Sequence, residues 1–493
     1  MTRVRWISEI AIFALLGIVA LYVMAPFHSK IATLLVLVAP VLLFFLFPSA
    51  IRAAWANVSS LIQSFTWWHW LVLAALLGGL DWRTEAYDLA DIASNPIDAS
   101  VKVRIACDAL VAIILLIRLV GEKTAWLRPM FRGVFGSVNV FVLIALLTTL
   151  WSVKPYWTFY KSAEYGLDLA LVVAIASTVK SIQEYKLLFN WVYGLCGALL
   201  ALAVAEAIFM PHLAFDYGPT GTLAMPELTG VFPAQAANGL GTFGAIIAMV
   251  AVSRLLSKTE PRSNRGWYQI ILAFGMVGMF MTEARSAIGA FTATLVLYLI
   301  LTRRTIAGAI LAAVSACVVA VSGFGNTIFE YLMRGQTAMQ VGTLTGRMEL
   351  WSAAWQKITE RPFIGWGAFA GGRFVVLPIV HKTGSADVDS TFVEALLDTG
   401  IPGLLALLIV IGAAWYFLWR GYRSVRIALP DRNLALEALM VLAILTIRSV
   451  FVSNLTRHPA LVFLTIVGFA ELLRRSLKEK EVRSYESIRP HES

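Results

Sequence analysis

The chain has 493 residues, of which 59% are hydrophobic and only 14% charged, far below the roughly one-quarter charged fraction of soluble domains. A soluble core cannot hide that much apolar surface. The formal net charge of +10 does not point to nucleic acid either, because no segment mixes basic and aromatic residues in a compact patch. Apolar runs near the ~20 residues that cross a bilayer as a helix recur along the chain, and they are apolar on all sides, which excludes the alternating strands of a membrane barrel.

In chain order the expected spans, about 14 in all, are 6–25, 31–48, 62–81, 105–121, 133–150, 163–179, 187–209, 235–253, 268–281, 286–302, 306–322, 402–419, 434–453 and 459–473. The first is flanked by Arg3 and Arg5, but Met24-Ala25-Pro26 offers no small-residue cleavage site, so it is expected to be retained. Trp67-Trp68-His69-Trp70 at the start of the third reads as an interfacial aromatic belt. With the N-terminus in the cytoplasm, about 25 of the 40 Lys and Arg fall on inside segments, as the positive-inside rule requires. Both termini are then cytoplasmic, and 82–104, 151–162, 210–234 and the long stretch 323–401 are outside. The organisation expected is spans one to eleven over 1–322, a large periplasmic loop over 323–401, the last three spans over 402–473 and a short, frayed tail over 474–493. Cys107, Cys196 and Cys317 all lie in apolar stretches without paired spacing, so neither a disulfide nor a metal site is expected, and no cofactor.

A loop of that length inside a membrane bundle is usually functional. Thr345 to Thr359 carries helical spacing of Met348, Leu350, Trp351 and Trp355, and Arg361-Pro362 with Gly365, Gly367, Gly371 and Gly372 ends it. Asp389-Ser390 opens a second helix running to Gly400, where Asp389 is either a plain N-cap or a functional carboxylate. Ionisable groups at membrane depth cost about 2.5–3.5 kcal/mol each and need a partner or a task. Arg285 stands between two apolar spans, where it either snorkels against Glu283 or acts. Arg448 sits within the outer half of an apolar helix, either in a structural ion pair or at work. Arg347, at a helix start, offers a planar guanidinium able to grip phosphate through two bonds, while Arg334, Arg373, Lys382 and most other loop charges read as solvated.

Several separated segments resemble the O-antigen ligase and polysaccharide polymerase family. They are Trp151-Ser152-Val153-Lys154-Pro155; Gly230-Val231-Phe232 followed by Asn238-Gly239-Leu240-Gly241; Thr282 to Gly289; Leu344-Thr345-Gly346-Arg347 with Trp351; and Arg361-Pro362-Phe363-Ile364-Gly365-Trp366-Gly367. The family's motif of His, a small polar residue, nine residues, Gly, two residues and Gly is met by Asp389-Ser390, nine residues, Gly400, Ile401, Pro402 and Gly403, with Asp in place of His. His381 is the other candidate for that role.

The resemblance implies an all-α, polytopic transmembrane bundle like the GT-C membrane glycosyltransferases, with a lipid-pyrophosphate-linked glycan as donor and a sugar hydroxyl or lipid core as acceptor. It implies Asp389 as general base, Arg285 and Arg347 on the leaving pyrophosphate, and Arg448, Lys161, Asn238, Arg361 and His381 as substrate contacts. A polymerase is favoured over an O-antigen ligase. A transporter of lipid-linked saccharide is the alternative of another class, against which stands the lack of inverted internal symmetry.

Overall fold

The computed structural model describes residues 56, 59, 66–82, 99–122, 124–216, 226–305, 308, 347–380, 387–456 and 460–486. The expected spans 6–25, 31–48 and 306–322, the segment 323–346 and His381 lie outside these residues. Helices dominate, as expected of an all-α membrane protein: α1 (Trp67–Gly79), α2 (Ala99–Glu122), α3 (Gly133–Leu147), α4 (Pro155–Thr178), α5 (Ile182–Phe209), α6 (Ala237–Leu256), α7 (Arg265–Met281), α8 (Arg285–Leu301), α9 (Arg347–Glu360), α10 (Thr391–Arg423), α11 (Leu429–Arg448) and α12 (Leu461–Glu486). Among the described residues, Gly133–Leu150, α5, α6 and α10 are long and apolar enough to cross a membrane. Two short antiparallel hairpins, Phe215–Asp216 with Glu227–Leu228 and Gly230–Val231 with Ala234–Gln235, interrupt the helices.

The chain folds as two compact units, one of residues 1–63 with 196–342, the other of 64–195 with 343–493. In the first, α6 packs along α7 and against α8. Contact is close enough that a Cβ on Gly241 would come within 2.6 Å of the Ala284 Cβ, so only glycine permits this approach. Both carboxylate oxygens of Glu206 accept backbone N–H groups of the second hairpin, from Val231 at 2.8 Å and Phe232 at 2.9 Å.

In the second unit α10 packs on α3, α9, α11 and α12. The segment Leu434–Leu445 of α11 is buried along its whole length. Glu471 on α12 accepts the Val134 N–H at the start of α3 at 3.0 Å and holds Arg474 and Arg475 at 2.8 and 2.9 Å. The aromatic run opening α1 is split, with Trp67 and Trp70 exposed while Trp68 and His69 are buried and stacked at 3.6 Å.

Most helices start or stop a few residues from the expected bounds, α4 as many as eight earlier, and three departures have a clear physical cause. First, the helix opening near Asp389 and the span expected from 402 form one run, α10, turned at Gly400, whose φ of 66° is in the left-handed region. A Cβ there would meet the Phe363 carbonyl carbon at 2.4 Å, so the bend requires glycine. Second, α11 stops at Arg448, where the N–H groups of Phe451 and Val452 both turn back to the Arg448 carbonyl. The apolar residues beyond it belong to a turn. Third, the charged stretch after Arg474 continues α12 to Glu486 instead of fraying.

Candidate functional site

The N-terminus of α10 is built by docking on the end of α11. The Thr391 N–H donates to the Ser449 carbonyl at 2.9 Å, the Thr391 hydroxyl to the Val452 carbonyl at 3.0 Å, and the Asn454 N–H returns to the Thr391 hydroxyl at 3.1 Å. The cap of α10 is Ser390, whose hydroxyl accepts the Val393 N–H, and not Asp389 as expected. Asp389 stands one residue outside the helix, at a φ of 53° that Asp tolerates better than most residues. Its N–H donates to the Asp387 carboxylate at 2.8 Å. The carboxylate is released from capping and turns to Arg347, whose Nε lies 3.7 Å from Oδ2, with both side chains about one-fifth exposed.

Arg347 reaches that point because α9 is pinned one turn further on, where the Trp351 indole donates to the Val388 carbonyl at 2.9 Å. Below it Leu350, Ala354 and Ile358 join Val376, Leu377, Val388 and Leu397 in a small apolar core that fixes α9 against the start of α10. Arg448, fully buried at the C-terminal end of α11, is in electrostatic contact with Arg347. A cation at a helix C-terminus is favoured by the helix dipole, which helps the fold tolerate this burial. The structure therefore brings Asp389 and Arg347 together, with buried Arg448 in electrostatic reach of Arg347.

The other expected residues fall elsewhere. Arg361 lies past the far end of α9, about 20 Å along the helix from Arg347, with its guanidinium 4.1 Å from the Trp366 ring centre. Lys161 is on α4, bonded to Glu164, which also pairs with Arg104 at 3.3 Å. In the other unit, Arg285 begins α8 and half-buried Asn238 is in the first turn of α6, at the same end of that helix pair. Glu283 beside Arg285 is held up to about 7 by burial, with the Arg285 charge pulling the other way.

Arg373 reads as a solvated charge in the sequence, and here the structure corrects that expectation. The side chain is buried, with its guanidinium 4.7 Å from the Trp157 ring centre. It is carried on a π-helical turn, Gly372–Val376, at the end of a strap of residues 361–372 that wraps the α10 bend. The Trp366 and Gly367 N–H groups donate to the Leu397 and Asp398 carbonyls, and the Asp398 carboxylate accepts N–H groups of Phe369, Gly371 and Gly372 at 2.7, 2.9 and 3.4 Å. From the other side, the indoles of Trp151 and Trp157 donate to the Ile364 and Phe369 carbonyls at 2.9 and 3.0 Å. The Trp-Ser-x-x-Pro segment, the glycine strap and the Gly-x-x-Gly bend are thus one interlocked knot.

A helical membrane protein with a carboxylate paired to a part-exposed guanidinium, close to a buried one, is the class that fold and site define. Residues 270–408 match the family model described as O-Antigen ligase, which supports the O-antigen ligase and polymerase family already recognised from the motifs. The match takes in Arg285, Arg347, Arg361 and Asp389 and stops short of Arg448. Comparison with curated proteins gives no match.

Proposed function

We propose that the chain is a membrane glycosyltransferase of the polysaccharide polymerase kind, transferring a glycan from a lipid-linked pyrophosphate to an acceptor sugar hydroxyl. The observation that carries this reading is the Asp389–Arg347 pair beside buried Arg448. A carboxylate within reach of an acceptor hydroxyl takes its proton as the oxygen attacks the anomeric carbon of the donor. The bond from that carbon to the phosphate oxygen breaks, and the lipid pyrophosphate leaves with its charge. Fixed guanidinium groups in a largely dry site stabilise that charge more than water does. One displacement inverts the donor carbon, and the arginines supply the positive charge without a metal.

In this reading the protein lies in the bacterial inner membrane with both termini in the cytoplasm, and 323–401 faces the periplasm. The description of the matching model favours a second reading, an O-antigen ligase that joins the glycan to lipid A core. The experiment is polymer chain-length distribution in deletion cells complemented with Asp389→Asn, with membrane abundance checked. Transfer should fall by about 10²–10⁴-fold, the usual worth of a positioned base, while abundance holds because Ser390 caps α10. Normal polymer from Asp389→Asn, together with none from a parallel His381→Ala, moves the base to His381. Glycan that reaches lipid A core without lengthening identifies the ligase.

A further inference from the structure

Two uncovered apolar stripes run along the second unit. On α3 and the short turn that follows it, the exposed side chains Leu143, Leu147 and Leu150 succeed one another at spacings of four and three, and on α10 Ile401, Leu405 and Leu408 do the same. The two helices pack on each other, and both runs are long and apolar enough to cross a membrane. An apolar stripe at helical spacing that no protein covers is the face such a helix turns to lipid.

Both stripes lead to the tip of the glycine strap. The Trp151 indole, next to Leu150, donates to the Ile364 carbonyl at 2.9 Å, and the Ile401 N–H donates to the Pro362 carbonyl at 2.9 Å. Held by these two anchors, Phe363 is 68% exposed and Ile364 47%, while Leu150 is 81% exposed. Large apolar side chains gathered in this way and left uncovered disfavour water, since burying one Phe favours an apolar phase by roughly tenfold or more.

The backbone suits the same surroundings. Lipid offers no hydrogen bonds, so an irregular segment enters it only when its polar groups are satisfied within the protein. In the strap the Arg361, Pro362 and Ile364 carbonyls accept from the Gly365 N–H, the Ile401 N–H and the Trp151 indole, and Pro362 has no N–H to satisfy. The Phe363 carbonyl rests against the Gly400 bend, which fixes the strap tip to α10. A polar boundary lies just before it in the chain. Glu360 is exposed and bonded to Lys357 at 2.6 Å, and the Arg361 guanidinium lies over the Trp366 ring. Cations set on an indole, with apolar residues to one side, are the arrangement of a membrane–water interface.

We propose that the strap tip, Phe363 and Ile364 together with Leu150, is seated in the hydrocarbon of the bilayer leaflet at this end of α10, the outer leaflet in the orientation given above, with phospholipid acyl chains as its partner. The stretch 323–401 then carries a membrane-embedded foot that hydropathy does not reveal. The bend at Gly400 lies at the hydrocarbon boundary, and Asp389 stands within roughly 20 Å of it along the chain. Continuity with both stripes selects acyl chains over a second copy of this chain, because a protein partner would have to cover the stripes as well.

The test replaces Phe363 by the photo-crosslinking residue p-benzoylphenylalanine in the full chain, reconstituted in nanodiscs whose phosphatidylglycerol carries an alkyne on its acyl chain. Leu405 on the α10 stripe and exposed Gln356 on α9 are replaced in the same way, as lipid-facing and water-facing references. After illumination, position 363 should give lipid adduct at the level of 405 and about tenfold above that of 356. Ile364 and Leu150, replaced in turn, should give the same result, and they carry the measurement if the Phe363 replacement does not fold. Adduct no higher than at 356, or a crosslinked dimer in place of lipid adduct, overturns the proposal. No transfer is read, so normal polymer from Asp389→Asn would sink the proposed base and leave the lipid contact standing.

Discussion

Replacing Asp398 tests whether the strap is held as the geometry indicates. Its carboxylate accepts three backbone N–H groups, at 2.7, 2.9 and 3.4 Å, and its side chain is almost completely buried. Asparagine keeps one carbonyl oxygen but turns an amide donor toward at least one of those N–H groups. A buried donor left unsatisfied costs about 1–3 kcal/mol. Asp398→Asn should therefore lose about 2 kcal/mol, and Asp398→Ala, which deserts all three donors, about twice that. For a protein of this size about 2 kcal/mol lowers the unfolding midpoint by roughly 2 °C. The assay is thermal unfolding in detergent paired with limited proteolysis of the strap. Cleavage within 361–372 should rise in the order parent, Asn, Ala. Equal midpoints and equal protease resistance in all three would refute the reasoning, because the N–H groups would then have to be satisfied without the side chain.

Glu471→Gln should cost about 3 kcal/mol, the low end for breaking a buried ion pair, because one carboxylate serves both Arg474 and Arg475 and caps α3 through Val134; denaturation midpoints in detergent read it. Glu283, held up to about 7 in the fold against an ordinary carboxylate value near ~4.3, should make the protein more stable at pH 5 than at pH 8, its contribution full below the ordinary value and lost as pH rises through about 7. Glu283→Gln should flatten the midpoint-against-pH curve over that window. A cysteine placed at exposed Glu360 should react with a membrane-impermeant maleimide in intact spheroplasts, and labelling only after lysis would reverse the proposed orientation of 323–401.

Hydropathy located much of the helical framework because burial in lipid or protein makes the same demand on a sequence. The expected span starting at 133 begins where α3 begins, and that ending at 209 ends with α5. It failed where a helix stops without becoming polar. Val450, Phe451 and Val452 keep the apolar run going past Arg448, and only the backbone turn shows that this arginine terminates α11. Local spacing likewise found the helix after Asp389 but misassigned its cap by one residue, since Asp and Ser are both good caps and the choice was made by docking on Ser449 and Val452. Arg373 was illegible for a different reason. Its environment is set by Trp157, far away in sequence, and no local pattern distinguishes an arginine that stacks on a distant indole from one in water.

The departure from the family's histidine is consistent with its surroundings. Position 389 lies in the left-handed region, where Asp is among the less strained choices, and its side chain faces Arg347, which is itself in electrostatic contact with buried Arg448. A neutral imidazole there would give up the ion pair with Arg347, which is part-exposed and so bears on the charge of the site more than on its stability. In the reaction proposed above, the aspartate offsets the Arg347 charge before substrate arrives, and a pyrophosphate takes over that offset on binding. In that reaction Arg347 contacts the proposed base before the donor binds and the leaving group afterwards. Under that proposal the exchange of partners follows from setting one carboxylate against Arg347, and it ties release of the base to occupancy of the donor site.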